Sequence, residues 1–242
     1  MTIMKKSLLS LVALIGLVLG FTGCEKESLG KTSITYYAEI TLEGEETMVV
    51  AKGSTFVEPG FKAVMAGKDV SDQVQVSSNV DTSKSGIYTI SYSVVNPDGF
   101  VATNNRTVIV LDLSDAVEGF WRVDMAASFR VFNGATSGYK GAFEFLIIKR
   151  ADGYYDVEDL MAGWYAQGAG YGDNYAMKAV VDIAGDGTIT LLASKVAGWG
   201  DSADFLNDGK YDAATSTITY TLGYGRPDNE IDFHVTLNKV VL

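Results

Sequence analysis

Two residues that occur once each bound the chemistry open to this chain. With Cys24 as the only cysteine, disulfides, thiolate zinc sites and iron–sulfur clusters are excluded, because each needs at least two thiols. With His234 as the only histidine, three-His and His-x-x-x-His metal sites fall as well. A serine or cysteine triad would need His234 as its base. In the segment 231–237 the apolar Ile231, Phe233, Val235 and Leu237 take one strand face, so His234 shares the polar face with Asp232, Thr236 and Asn238 and is expected to be non-catalytic. The run Gly168-Ala169-Gly170-Tyr171-Gly172 lacks the Lys and the helix of a phosphate loop and reads as a flexible loop. Paired carboxylates remain: Asp156 and Glu158 fall on one strand face about 7 Å apart, with Asp159 pointing the other way. An acidic β protein produces such a spacing on any solvated face. The segment 182–187 lacks the closing bidentate Glu of a calcium loop and reads as a hairpin turn, and Asp201, Asp204 and Asp208 crowd another loop. No catalytic residue, cofactor or metal is expected.

The aromatics are more informative. Trp164 and Tyr165, then Tyr171 and Tyr175, then Trp199, sit in or beside Gly-rich stretches and outside the alternating strands. A ring next to Gly can be left facing solvent, where it stacks on the apolar face of a sugar while Asp173, Asn174 and Asp201 accept hydroxyl hydrogen bonds. These eight residues are the candidate ligand-binding set. The competing reading is that the rings plug a barrel. Trp121 is assigned to the core.

The elements that must position these residues follow from composition and periodicity. A chain of 242 residues with 47% hydrophobic and 20% charged is a folded globular protein of one large or two medium domains. Its formal charge of −11 argues against nucleic-acid partners, whose phosphates must be neutralised by clustered Lys and Arg. Lys5 and Lys6 precede an apolar run from Leu8 to Leu19, short of the ~20 residues of a membrane-spanning helix, so residues 1–23 read as a secretory signal peptide.

The ending Phe21-Thr22-Gly23-Cys24 resembles a bacterial lipobox. The resemblance implies that Cys24 is lipidated and becomes the first mature residue, with loss of Lys5 and Lys6 taking the formal charge from −11 to −13. Two or more acyl chains, at ~0.8 kcal/mol per buried methylene, anchor a protein to a membrane without a span. Glu25-Lys26-Glu27-Ser28 resembles the acidic export signal of Bacteroidetes surface lipoproteins, and the polar tether to residue 37 could reach roughly 45 Å.

Residues 38–112 show short strands separated by turn signals, the pattern of a β-sandwich. In the clearest segment Tyr88, Ile90, Tyr92 and Val94 share one face, Asn96-Pro97-Asp98-Gly99 turns, and Arg106-Thr107-Val108-Ile109-Val110 returns as the second arm of a hairpin. The approach to Tyr88 resembles the tyrosine corner before an immunoglobulin strand F, with Ile90 where an antibody domain would put a cysteine. With Gly53 and the Glu58-Pro59-Gly60-Phe61 turn, the series resembles a bacterial immunoglobulin-like surface domain, which implies a spacer or interaction role.

Residues 113–118 form a polar linker. Residues 119–242 hold all three Trp, the only His and most of the aromatics, in strands that alternate apolar and polar. Ala151-Asp152-Gly153, Gly185-Asp186-Gly187 and Asn207-Asp208-Gly209 supply hairpin turns. Seven or eight such strands suit an up-and-down barrel. The opening Gly119-Phe120-Trp121-Arg122-Val123 resembles the start of lipocalin-like barrels.

The expected fold is therefore all-β, an N-terminal immunoglobulin-like β-sandwich followed by an antiparallel lipocalin-like β-barrel. The whole chain resembles two-domain Bacteroidetes lipoproteins, often encoded with outer-membrane glycan-uptake systems. The resemblance implies an outer-membrane, lipid-anchored protein, facing the cell surface more readily than the periplasm. Its expected function is non-catalytic binding of a glycan or small ligand as an accessory to uptake. The alternative is a structural or adhesive subunit that binds an outer-membrane protein, and a third reading is a glycoside hydrolase using Asp156 and Glu158.

Overall fold

The computed structural model describes residues 34–241. The signal segment, Cys24 and most of the tether lie outside the described residues.

The first domain comprises β1 (Ala38–Leu42), β2 (Thr47–Ala51), β3 (Phe61–Met65), β4 (Lys68–Asp69), β5 (Gln75–Ser78), β6 (Gly86–Val95) and β7 (Val101–Leu111). They form a three-stranded sheet in the order β1-β3-β4 and a four-stranded sheet in the order β2-β7-β6-β5, with β2 parallel to β7. The inner faces bury Ile40, Ala63, Ile90, Tyr92, Val94, Val108 and Val110. The period-2 pattern thus puts Ile90, Tyr92 and Val94 inward as expected.

The β6–β7 turn is held by the Asn96 side chain, whose Oδ1 accepts from the Asp98 and Phe100 amides at 3.1 and 2.7 Å, while Gly99 adopts φ +87°. The tyrosine corner is also present: the Tyr88 hydroxyl donates to the Lys84 carbonyl at 2.9 Å.

The second half of β7 is buried on both faces. Val108 and Val110 face the sandwich, and Ile109 and Leu111 pack with Leu146, Phe120 and Ile148 of the second domain. That double burial explains the unbroken apolar run at the end of the strand. The linker is polar in sequence but tightly bonded. Asp115 Oδ1 accepts from the Val117 and Glu118 amides at 2.8 and 2.9 Å, and its other oxygen meets Lys149 Nζ at 2.8 Å. The buried Glu118 in turn accepts the Asp112 amide at 3.2 Å.

The second domain comprises β8 (Gly119–Val123), β9 (Phe129–Phe132), β10 (Ala135–Gly138), β11 (Glu144–Lys149), β12 (Tyr155–Val157), β13 (Met177–Ile183), β14 (Ile189–Val196), β15 (Phe205–Asp212), β16 (Thr217–Tyr224) and β17 (Ile231–Lys239). Antiparallel neighbours run β15-β16-β17-β8-β11-β12-β13-β14, a curled eight-stranded sheet. The β9–β10 hairpin extends it, with β9 pairing the first half of β17 and β8 the last.

The two ends of the curl meet at a Thr188–Lys210 bridge and a Tyr211 amide to Gly187 carbonyl bond of 2.7 Å, without a ladder. This seam corrects one sequence expectation. Asn207-Asp208-Gly209 is a bulge inside β15 and not a hairpin turn, with Asp208 at φ +54° and a register shift between Asn207 and Lys210. A Cβ on Gly209 would sit 2.7 Å from the Ile189 carbonyl oxygen, so glycine there lets the two edges approach. The other two turns, at Gly153 and Gly187, form as expected.

Inside the curl, Trp121, Phe145, Met177, Leu222, Phe233 and Leu237 are fully or nearly fully buried, and Trp121 Nε1 donates to the Val117 carbonyl at 2.8 Å. The space left among Ile147, Leu160, Val181, Ile218 and their neighbours is about 10 Å³, below the room for a ligand. His234 lies on the polar face of β17, stacked on Phe129 at 4.5 Å with Nδ1 3.2 Å from Thr221 Oγ1.

Candidate binding site at the end of the barrel

Because neighbouring strands alternate in direction, the connections after β8, β12, β14 and β16 share one end of the barrel. These are the long ones. The opposite end carries the tight turns and receives the chain from the linker. Every aromatic candidate lies at the long-loop end, away from the first domain.

The β12–β13 connection crosses this end as a plug. Asp159, buried, accepts three amides at 2.9 Å each, from Met161 and Met177 on Oδ1 and from Gly163 on Oδ2. Burial pushes its carboxyl up to about 6, against the lowering effect of those amides. The Tyr139 and Tyr220 hydroxyls donate to the Met161 and Leu160 carbonyls at 3.0 and 2.8 Å, and burial raises both phenols well above their ordinary range.

Gly163, at φ +79°, then opens a π-helical turn over Trp164–Gly168, in which the Gly168 and Ala169 amides reach the carbonyls five residues back. The glycine run that reads as a flexible loop is thus hydrogen-bonded, with the Tyr171 and Gly172 amides donating to the Tyr165 and Ala166 carbonyls. A Cβ at Gly163 would fall 2.5 Å from Phe143 Cβ in a backbone conformation that alanine resists. Gly163→Ala should therefore lower stability by about 2 kcal/mol, read as a lower denaturant midpoint at unchanged slope. An unchanged midpoint would mean that Phe143 moves freely aside.

The wide turn splits its two aromatics. Trp164 points back onto the core, edge-on to Tyr139 at 4.9 Å and Phe233 at 5.9 Å, with the Arg130 guanidinium 4.5 Å from its centroid. Tyr165 joins the outer cluster, meeting Trp199 at 4.9 Å and Tyr171 at 6.2 Å. Tyr175 meets Trp199 at 4.9 Å and Tyr171 at 5.4 Å. Tyr171 is 54% exposed and Trp199 38%. Four of the five aromatics proposed from sequence thus form one connected set at the surface, while Trp164 belongs to the plug and joins them only through Phe233, which Tyr165 also meets at 6.1 Å.

The Gly198 amide donates to the Asn174 carbonyl at 2.7 Å, tying the β14–β15 loop to this cluster. Asp201 accepts the Tyr224 hydroxyl at 2.9 Å; burial, then that carboxylate, push the Tyr224 phenol up. Asp173 and Asn174 are exposed beside Tyr175.

A groove of about 300 Å³ runs along the outer face of Trp164, Tyr165 and Tyr171, and Arg130, Lys140 and Phe143 also line it. Arg130, Lys140, Phe143 and Tyr224 escape sequence reasoning. The alternation in Phe129-Arg130-Val131-Phe132 was the available signal for the strand that carries Arg130.

Asp156 and Glu158 lie elsewhere, in a cleft of about 530 Å³ between the two β domains. Glu158 Oε2 accepts the Leu146 amide at 2.9 Å, and Asp156 pairs with Arg150 at 3.4 Å. The segment 182–187 is a turn in which Asp186 caps the Thr188 amide, and among the described residues no group of three or more His, Cys, Asp or Glu is placed to hold a metal.

A surface-type immunoglobulin-like sandwich leading into a filled, antiparallel half-barrel defines the class of this protein. Residues 40–110 match the family model of the bacterial surface protein Ig-like domain, and residues 110–239 match a family described as a "-like, C-terminal domain". The crystal structure of the lipoprotein BT2262 from Bacteroides thetaiotaomicron is similar at 36% identity and a TM-score of 0.70, over 84% of this chain and 100% of that one. The chain belongs to the family of that Bacteroides lipoprotein. A structure of carbohydrate-binding modules CBM51-1 and CBM51-2 with the M60 catalytic domain of Clostridium perfringens ZmpB aligns at 22% identity and a TM-score of 0.27, over 50% of this chain and 15% of that one. A likeness of that size carries no argument. No curated protein matches the chain.

Proposed function

We propose that this protein is a non-catalytic lipoprotein of the bacterial outer surface, anchored through Cys24, whose barrel end binds a glycan. The observation that carries the reading is the connected aromatic set. Tyr171 and Trp199 present exposed rings, braced by Tyr165 and Tyr175, and Tyr171 with Tyr165 lines a groove wide enough for a sugar residue or two. Flat rings in contact with solvent and a preformed groove lined by polar as well as aromatic side chains suit a carbohydrate better than a purely apolar ligand. The filled interior directs any ligand to this outer face.

The tether precedes the first domain in the chain, and the long-loop end of the barrel is turned away from the linker. Among the described residues no helix is long and apolar enough to cross a membrane. An outer-membrane site and a role beside a glycan-uptake system belong to the same proposal.

A glycan array followed by calorimetric titration tests it. The double variant Tyr171→Ala, Trp199→Ala should bind at least about tenfold more weakly than wild type, the loss of ~1.4 kcal/mol expected from removing two stacking faces. Equal binding would remove these residues from the site, and no binding to any glycan would remove the function. A stoichiometric protein partner recovered from outer-membrane extract without sugar dependence would favour the structural-subunit alternative.

A further inference from the structure

We propose that the groove selects acidic glycans, with Arg130 holding a carboxylate or sulfate next to the sugar ring that stacks on Tyr171. This rests on the glycan reading and narrows it.

Charge pairing sets Arg130 apart. The chain carries 30 Asp and Glu against 19 Lys and Arg, so a cation should readily find a carboxylate. Arg106, Arg122, Arg150 and Arg226 each do so. Arg130 is the fifth arginine, and among the described residues it has no ion-pair partner within 4.0 Å. Lys140, on the same groove, has none either. The residues lining the groove include these two cations and no acid. A patch without acids in a chain of net charge −11 is a local departure from the rest of the surface.

Arg130 is also held in position. Its guanidinium lies 4.5 Å from the Trp164 centroid and 5.4 Å from that of Phe132, and Nη1 donates to the Tyr165 hydroxyl at 3.2 Å. Stacking on aromatics fixes the plane of the fork and leaves its edge for a ligand. Nε is buried without a partner, so the cation has given up hydration on one side with no protein carboxylate in exchange. An oxyanion at the open edge would supply the missing charge in the bidentate geometry that guanidinium favours. Because Arg130 touches Tyr165, which packs on Tyr171, the anion site and the stacking ring are adjacent.

The test titrates wild type with three oligosaccharides of equal length: an oligogalacturonide, a sulfated chondroitin fragment and a neutral xylo-oligosaccharide, each at low and high salt. At least one acidic sugar should bind about tenfold more tightly than the neutral one, and high salt should weaken that binding several-fold. Preference between the first two separates carboxylate from sulfate. Arg130→Gln should erase the preference. Lys140→Ala, at an exposed position, should reduce it about two- to threefold without touching the packing on Trp164, which keeps the test valid if the first variant folds poorly. Neutral and acidic sugars binding alike would overturn the inference and leave the glycan reading standing. Binding of none of the three would overturn the inference, and together with a blank glycan array it would overturn the glycan reading as well.

Discussion

Asp159→Ala is expected to lower the unfolding free energy by about 4 kcal/mol at pH 5, because it leaves three buried amides without an acceptor at roughly 1–3 kcal/mol each. The amides of Met161, Gly163 and Met177 have no water to turn to at this depth. Met161 and Gly163 belong to the plug that carries Trp164 and Met177 opens β13 behind it, so the same change should loosen the groove.

The loss depends on pH, and its sign is fixed. Burial raises the folded carboxyl to about 6, above the ordinary value near 4 that it has when unfolded. Between those values the folded chain holds the extra proton, so the stability contributed by this group is fully present below about pH 4 and is lost as pH rises through 6. A rise of that size corresponds to about 3 kcal/mol of differential stability. Wild type should therefore lose about 2 kcal/mol of its advantage over Asp159→Ala between pH 4 and pH 7 and keep the remainder above that. Asp124 runs the other way, its carboxyl held low by the Ala127 and Ala126 amides, so the comparison must be made against the variant. Parallel stability curves for the two proteins would refute the assignment.

Arg106→Met carries the second large effect, an expected loss of about 3–5 kcal/mol from breaking a buried ion pair and orphaning several carbonyls. Arg106 is 0% exposed. Its Nε donates to Glu58 Oε1 at 3.1 Å, Nη2 reaches the Glu43 and Gly60 carbonyls at 2.7 and 3.1 Å, and Nη1 bonds the Glu45 carbonyl. One side chain on β7 therefore ties the β1–β2 and β2–β3 connections to the opposite sheet. For a protein of this size the loss should lower Tm by about 10 °C. Lysine should not rescue it, since one ammonium cannot meet acceptors arranged for a planar fork. A variant that melts within a degree or two of wild type would show that the three carbonyls find water instead.

Both residues illustrate what escaped sequence reasoning. Arg106 opens the alternating run Arg106 to Val110 and looks like an ordinary polar strand start, while its partners lie 46 to 63 residues away. Asp159 could be placed on the face opposite Asp156 and Glu158, and it is, but nothing local says that this face is the closed end of a barrel. The turn at Asn207-Asp208-Gly209 failed for a related reason. Its residue types suit a positive φ, and both a hairpin and a bulge use one; only the partner strand across the seam decides between them. Arg130 follows the same logic, since an unpaired cation is defined by carboxylates that are absent around it in space.

What the residues settle alone is what short-range chemistry controls. Alternation with period two places Ile90, Tyr92 and Val94 inside one domain and Phe233, Val235 and Leu237 inside the other, leaving His234 on the polar face. The Tyr88 corner and the Asn96 turn close within four residues, so a local reading finds them. The tertiary structure alone decides that the barrel interior is filled, that the five aromatics gather at one end, and that Arg130 stands beside them with no ion-pair partner among the described residues. Those outcomes depend on how strands far apart in the chain curl and close, and sheet closure is governed by long-range pairing that no window of sequence contains.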